Sequence, residues 1–193
     1  VCESTYGDRA REKFTIEQRR SQLEHEIKDA LVRGGNLIIP SFALERTQEL
    51  LLDLARLADA NRIPNVPIFV DSPLASRATK VFAAHAAEME DMDGQDIFRH
   101  PSIHYVEDVA ESIRLNTMSG AIIMAASGMC EAGRIRHHLK HNLFRRDSTV
   151  LFVGFQARGT LGRGLLGGAQ GVRVSGEDVN ARSRIRRIDS CSA

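Results

Sequence analysis

Gly34-Gly-Asn-Leu-Ile-Ile-Pro-Ser-Phe-Ala43 is the stretch of sequence that decides the fold. Its glycine pair ends a helix, Leu37–Ile39 has the composition of a short buried strand, and Pro40 closes that strand. The preceding helix begins at a capping box, Thr15-Ile-Glu-Gln18. The following residues, from Ala43 to Ala60, have helical apolar spacing. The stretch therefore predicts a buried strand between two helices.

The same alternation continues in both directions without a linker or an internal repeat. Further strands are predicted at Val66–Val70, Ile103–Tyr105, Ala121–Ala126, Thr149–Phe155, Val172–Val174 and Ile185–Ile188. Further helices are predicted from Pro73 to His85, from Asp108 onward, from Glu131 to Phe144 and from Leu161 to Leu166. Alternating strands and helices indicate one α/β domain with a mostly parallel sheet flanked by helices on both faces.

Composition narrows the class of protein. The chain has 193 residues, 42% apolar and 26% charged, which is enough for one sizeable core. No apolar run approaches the roughly 18 residues of a membrane span, so we expect no membrane association. Cys2, Cys130 and Cys191 are far apart and form no Cys-x-x-Cys pair, which argues against a disulfide framework or a cysteine zinc site. A reducing, cytoplasmic location fits this cysteine usage.

Charge is unevenly distributed along the chain. Residues 1–130 carry 14 basic and 20 acidic side chains, whereas residues 131–193 carry 12 and 5. The basic final third predicts a surface that faces a polyanion. Arginine outnumbers lysine 22 to 4, which suits bidentate phosphate contacts but equally fits a bias in genome composition.

Small and polar residues occupy four predicted strand-to-helix junctions. Their backbone N–H groups could bind a phosphate, although any such turn also needs small capping residues. The junction Ser127–Met129 favours the phosphate interpretation, because it precedes a basic segment that contains Arg134 and Arg136. The glycine-rich residues 159–168 form no Walker A motif, and either approach a sugar-phosphate chain or form a mobile loop. The four junctions are Pro40–Ala43, Asp71–Leu74, Ser127–Met129 and Gln156–Thr160.

His137 and His141 are four residues apart, as are the histidines of the zinc-binding His-Glu-x-x-His motif. The glutamate of that motif is absent here, and Arg134, Arg136 and Lys140 would repel a cation. We therefore predict a solvated basic face rather than a metal site. No Gly-x-Ser-x-Gly nucleophile motif is present. Taken alone, the residues predict an anion-binding α/β domain without a complete catalytic set.

Five motifs, in order, resemble the β-CASP domain of the metallo-β-lactamase-fold RNA-processing nucleases, which include ribonuclease J relatives and the nuclease of the polyadenylation machinery. The resemblance covers nearly the whole chain and implies a Rossmann-like three-layer domain over residues 1–193, excised from a larger nuclease. Glu45 stands where the family segment commonly has glycine, so we expect the local backbone to differ. The motifs are Glu3–Asp8, Asn36–Ala43 with Arg46–Leu50, Asp71–Ala75, Ala126–Met129 with Gly133–Lys140, and Gly154–Arg163.

The resemblance also implies a chemistry. The parent enzyme would hydrolyse RNA phosphodiester bonds with two Zn²⁺ ions, held mainly by a His-x-His-x-Asp-His motif that this sequence lacks. We therefore expect no cofactor in this chain and no activity of the chain alone. Glu3 matches the family's catalytic acidic motif. The residues expected to bind substrate are Ser41, Arg46, Ser127, Gly128, Met129, Arg134, Gln156, Gly159, Thr160 and Arg163.

The implied partners are single-stranded RNA and the metallo-β-lactamase domain of the same parent chain, and the parent could form a homodimer. Two other functions stay open from the residues. One is a non-catalytic α/β module that captures RNA or a nucleotide. The other is an interaction domain whose basic face docks a protein.

Overall fold

One parallel sheet organises the computed structural model, which describes residues 15–88 and 97–188. Within those residues the sheet has six strands in the order β3-β2-β4-β1-β5-β8, and a separate antiparallel hairpin pairs β6 with β7. The strands are β1 Leu37–Pro40, β2 Ile68–Val70, β3 Ile103–Tyr105, β4 Ile122–Ala125, β5 Thr149–Phe152, β6 Gly171–Val174, β7 Glu177–Asn180 and β8 Arg184–Arg187. The fold class predicted from the sequence is confirmed.

The helices start where the sequence supplies caps. The Thr15–Gln18 capping box is formed, and Ser72 caps a helix with Pro73 in its first turn. Asp108 and Thr160 accept backbone hydrogen bonds in the same way at two short helices. The helices are α1 Ile16–Leu31, α2 Arg46–Asp59, α3 Pro73–Ala84, α4 Val109–Arg114, α5 Ile135–Asn142 and α6 Leu161–Leu166.

Helices cover the sheet on both faces because the chain moves along it in two directions. From β1 to β3 the chain moves towards one edge, and from β3 to β8 it moves back. Right-handed crossovers then place α2 and α3 on one face and α4 to α6 on the other. Two separate apolar clusters match these layers. Ile38 packs with α5 and α6, whereas its neighbours Leu37 and Ile39 pack with α1 and α2.

The strand register brings three loops to one edge of the sheet. Pro40 pairs with Ala125, and Val70 pairs with Met124. The carboxyl ends of β1, β2 and β4 are therefore level to within one residue. In open α/β sheets this edge is where ligands bind, so the strand register positions the candidate site.

Two helix starts differ from the predictions, and one strand was missed. Helix α2 begins at Arg46 rather than Ala43, since Glu45 has φ 63° and cannot continue a helix. Helix α5 begins at Ile135 rather than Glu131, because residues 126–134 fold back into a loop. The hairpin strand β7 was not predicted, since its residues are almost all polar. A Ser175-Gly176 turn with positive φ at both residues joins its two strands.

In residues 15–88 and 97–188, no helix has the length and apolar composition that crossing a bilayer requires. The expectation for the two ends of the chain concerns residues outside the described ranges. If the domain is an insertion, residues 1 and 193 should lie close together, and this stays a prediction.

Candidate nucleic-acid interface

The loop between β1 and α2 is held by buried polar groups. The Ser41 hydroxyl lies 2.9 Å from the Thr47 hydroxyl, and Ser41 N donates to Ala125 O at 3.1 Å. Arg46 is only 8% exposed and forms an ion pair with Glu49. Ser41 and Arg46, the two residues of this loop that are predicted to bind substrate, therefore form hydrogen bonds or ion pairs within the chain. Their positions fix the shape of the loop, and contact with substrate stays a prediction for both.

The loop after β4 closes on itself before α5 begins. Ser127 N donates to Ala132 O at 3.0 Å, and Ile135 N donates to Ala126 O at 3.1 Å. Gly133 has φ 78°, and a Cβ added there would lie 2.3 Å from Ala126 O. The close approach of the two ends of this loop therefore requires glycine at position 133.

Gln156 joins this loop to the one after β5. Its side-chain Nε2 donates to Gly128 O at 2.8 Å, and Gly162 N donates to Met129 O at 3.2 Å. A Cβ on Gly162 would lie only 1.9 Å from Gln156 Oε1, so the glutamine fits because position 162 has no side chain. The two loops that the sequence predicts as phosphate contacts are therefore in direct contact with each other.

Backbone N–H groups at the start of α6 are already bonded within the chain. Leu161 N donates to the Glu131 carboxylate at 2.5 Å, and Arg163 N donates to the Thr160 hydroxyl at 3.2 Å. With Gly162 N bonded to Met129 O, the first turn of α6 has its donors satisfied. A phosphate at this loop would therefore be bound by side chains rather than by these N–H groups.

The side chain of Asp71 is the centre of a buried network at the end of β2. It accepts hydrogen bonds from Arg134 Nη1 at 2.6 Å, from the Ser112 hydroxyl at 2.5 Å and from His138 Nε2 at 2.6 Å. Arg134 also donates to the carbonyl oxygens of Val106 at 3.1 Å and Glu107 at 2.9 Å. The network ties α4, α5 and the ends of β2 and β3 together.

This network keeps Asp71 ionised. Burial raises the pKa of its carboxyl group, but the hydrogen bonds from His138, Ser112 and Arg134 outweigh burial and hold the pKa below its ordinary value. An ionised carboxylate can only accept, so Nε2 of His138 carries the proton. Phosphate binding by Arg134, which the sequence predicts, stays a prediction, and the structure engages its guanidinium with Asp71.

Sequence reasoning did not identify Asp71, Ser112 and His138 as partners. His138 is fully buried, whereas its neighbour His137 is exposed. A helical count from the apolar positions Ile135 and Leu139 would have placed His138 on the inner face of α5. Nothing in the sequence indicates that the buried histidine meets a carboxylate 67 residues earlier in the chain.

Arginines without a carboxylate partner lie on and around the loop after β5. Among the described residues, neither Arg158 nor Arg163 forms an ion pair, and both are exposed. On the opposite face of the sheet, arginines are paired within the chain: Arg19 and Arg20 with Asp53, and Arg186 with Glu26. Positive charge that the fold leaves uncompensated is therefore available at this loop.

The described residues do not fit a zinc centre. Within residues 15–88 and 97–188, no three His, Cys, Asp or Glu side chains lie close enough to hold a metal ion. His141 Nδ1 is 2.8 Å from the carbonyl oxygen of His137, so this histidine pair is engaged along its own helix. Glu3, the predicted catalytic carboxylate, lies outside the described residues.

Comparison with known proteins agrees with the motifs. The model of the Beta-Casp domain family matches residues 47–165. Ribonuclease TTHA0252 of Thermus thermophilus is 34% identical over the whole chain, which covers 45% of that relative. The RNase J-like protein of Methanocaldococcus jannaschii is 30% identical over 98% of the chain and 44% of the relative.

More distant relatives include proteins that are named as transcription termination factors. Transcription termination factor FttA of Thermococcus kodakarensis is 28% identical over the whole chain, which covers 31% of that protein. The chain thus spans between about a third and a half of the length of these relatives. Because the family model covers residues 47–165, more than half of the sequence, the chain belongs to the Beta-Casp domain family.

Proposed function

We propose that this chain is the RNA-holding β-CASP domain of a longer, zinc-dependent ribonuclease of the metallo-β-lactamase fold. The observation that carries the proposal is the family match over residues 47–165. Two of the relatives are named as a ribonuclease and an RNase J-like protein, and both are more than twice as long as this chain. The remaining length of such relatives leaves room for a second domain.

The unpaired arginines support a role in holding RNA. Arg158 and Arg163 extend from a loop that Gln156 fixes against the Ser127–Met129 loop. Their guanidinium groups suit bidentate contacts with phosphate, and contacts with the RNA backbone carry no base information. Binding by this loop is therefore expected to be similar for different RNA sequences and to weaken with salt.

Hydrolysis would need groups that the described residues do not provide. The donor set described above does not fit a zinc ion, so no bond-breaking step is assigned to these residues. In the proposed enzyme the chain binds single-stranded RNA and positions it, and a metallo-β-lactamase domain of the same parent supplies the metal. The proposal places the protein in the cytoplasm, and a homodimer of the parent is compatible with it.

RNA binding by the 193-residue chain tests the proposal. We expect a fluorescein-labelled, 12-nucleotide single-stranded RNA to bind with a salt-dependent affinity, measured by fluorescence anisotropy. The double variant Arg158→Gln/Arg163→Gln should weaken binding roughly tenfold. It should also reduce the slope of log affinity against log salt by about 1.4, since each lost contact with a single strand contributes about 0.7.

The control is Arg146→Gln, which removes an exposed arginine between α5 and β5, at the opposite edge of the sheet. This variant should bind RNA as the unchanged chain does. Equal affinity of the unchanged chain and the double variant would contradict the placement of the RNA. A nucleoside monophosphate that binds as tightly as the RNA would favour the alternative, a nucleotide-binding module without a nuclease role.

A further inference from the structure

A cavity of about 320 Å³ lies between the start of α5, helix α6 and strand β6. It adjoins the loop after β5 but reaches residues to which no substrate role has been assigned. The lining residues that matter for ligand binding are Glu131, Arg136, Gly159, Thr160, Gly164 and Arg173.

Two arginines supply positive charge to this cavity. Arg136 donates from Nη1 to Glu131 O at 2.9 Å, and its buried Nε has no partner among the described residues. Arg173 donates from Nε to Gly176 O at 3.2 Å, which orients its guanidinium. In the described part of the chain, neither arginine has a carboxylate within ion-pair distance. Buried donors are nearly always bonded in native proteins, so the guanidinium of Arg136 has unused capacity.

Little negative charge opposes the arginines. The Glu131 carboxylate is the acidic group of the cavity wall, and it accepts the hydrogen bond from Leu161 N at 2.5 Å. The Cys130 thiol also lines the cavity, and burial, with the nearby Glu131 charge, raises its pKa to about 12. The thiol is therefore neutral at physiological pH. The ionised groups of the cavity are two cations and one carboxylate that is already bonded.

We infer that the cavity binds one phosphate group of the RNA, between Arg136 and Arg173. The inference rests on the proposed function and extends it. An RNA strand that contacts Arg158 and Arg163 passes the residues Gly159 and Thr160, which belong both to that loop and to the cavity wall. Two guanidinium groups on different elements can hold a phosphate from two sides.

Removal of either arginine tests the charge requirement. We expect Arg136→Gln and Arg173→Gln each to weaken binding of the 12-nucleotide RNA about fivefold. Each should also lower the salt slope by about 0.7. Arg146→Gln should change neither quantity. Unchanged affinity in both cavity variants, with a loss in Arg158→Gln/Arg163→Gln, would overturn the cavity site and leave the proposed function standing.

Gly164 permits a test without any change of charge. It lines the cavity, and a Cβ added there meets no atom within 4 Å. Gly164→Met should therefore fold, place its side chain in the open space of the cavity and weaken RNA binding about as much as Arg136→Gln. Gly164→Ala, which adds only one methyl group, should weaken RNA binding much less than Gly164→Met does. Equal RNA affinity of the Met and Ala variants would contradict the inference.

Inorganic phosphate tests whether the cavity binds a phosphate group in the absence of RNA. We expect phosphate to raise the melting temperature of the unchanged chain and to have no effect on Gly164→Met. Equal rises in both proteins would overturn the site. If the unchanged chain bound no RNA but showed this phosphate effect, the proposed function and the RNA as source of the phosphate would both fail, and the cavity would take a free anion. Tighter binding of adenosine 5′-monophosphate than of RNA would also overturn the RNA assignment.

Discussion

At the scale of single residues, Glu45 shows how the chain tolerates an unfavourable backbone. It is the central residue of a tight turn in which Arg46 N donates to Leu44 O at 2.7 Å, and its φ is 63° and its ψ −64°. Turns of this kind are rare and strained for residues with a side chain. Glu45 stands where the family segment commonly has glycine. The positive φ at this residue is the backbone conformation that glycine adopts most easily.

The first prediction follows from this strain. Glu45→Gly should raise the free energy of unfolding by about 1 kcal/mol, because glycine adopts this conformation without a clash. Urea unfolding measures the change. Asn61→Gly is the matched control, since Asn61 also has positive φ, at 53°, but asparagine tolerates it. A destabilised Glu45→Gly variant would show that the glutamate side chain, rather than the backbone, governs the turn.

The second prediction concerns Asp71. Asp71→Asn should lower the free energy of unfolding by about 3 kcal/mol at pH 7, because the partly buried Arg134 and the fully buried His138 would lose their carboxylate partner. Asp147→Asn, at a half-exposed ion pair with Arg145, is the control and should change it by less than about 1 kcal/mol.

The pH dependence of the Asp71 variant has a defined sign. The native pKa of Asp71 is lowered, so its stabilising contribution is full above the unfolded value of about 3.9 and is lost as pH falls through the lower native pKa. The difference in unfolding free energy between the unchanged chain and Asp71→Asn should therefore shrink in acid. A difference that stays constant from pH 7 to pH 2 would rule out this role of the ionised carboxylate.

At the scale of elements, sequence periodicity predicts regular structure well but loops poorly. The capping box at Thr15 and the proline after Ser72 mark helix starts that the structure confirms. The boundary of α5 was wrong by four residues, because the closed loop of residues 126–134 depends on hydrogen bonds that a local pattern does not encode. The contact of Gln156 with Gly128 likewise joins residues 28 apart in the chain. Motifs predict which loops matter, and only the fold brings them together.

The third prediction tests the loop between β4 and α5. Gly133→Ala should lower the free energy of unfolding by about 2 kcal/mol, because the added Cβ meets Ala126 O and the φ is positive. It should also weaken RNA binding, since the loop could no longer close beside Gln156. The control Gly154→Ala places its Cβ in open space and should change stability by less than about 0.5 kcal/mol. Unaltered stability of Gly133→Ala would show that the loop has another stable form.

At the scale of the whole molecule, the described residues form a six-stranded parallel sheet, a separate two-stranded hairpin and two apolar clusters, but no assembled metal centre. The fold was predictable because alternating elements admit few arrangements. The sequence predicted the uncompensated positive charge at the loop after β5 only as an excess of basic residues in the final third of the chain. The ion pairs that neutralise arginines such as Arg186 became visible only in three dimensions.

The fourth prediction concerns activity. The 193-residue chain, dialysed and then supplied with Zn²⁺, should neither cleave the 12-nucleotide RNA nor retain zinc stoichiometrically, because its histidine pair lies on a basic helix. Gel analysis of the RNA and metal analysis after dialysis measure both. One tightly held zinc ion per chain that disappears in His141→Ala would refute the prediction.

The ion pairs between α1 and β8 have a consequence for synthesis on the ribosome. Arg184 bonds to Asp29 at 2.6 Å and Arg186 to Glu26 at 2.8 Å, which fastens the first described helix to the last described strand. Because translation is vectorial, α1 leaves the exit tunnel long before its basic partners are made. The sheet edge beside β5 stays open during that interval. This domain therefore completes its sheet only after residues 184–187 have emerged from the ribosome.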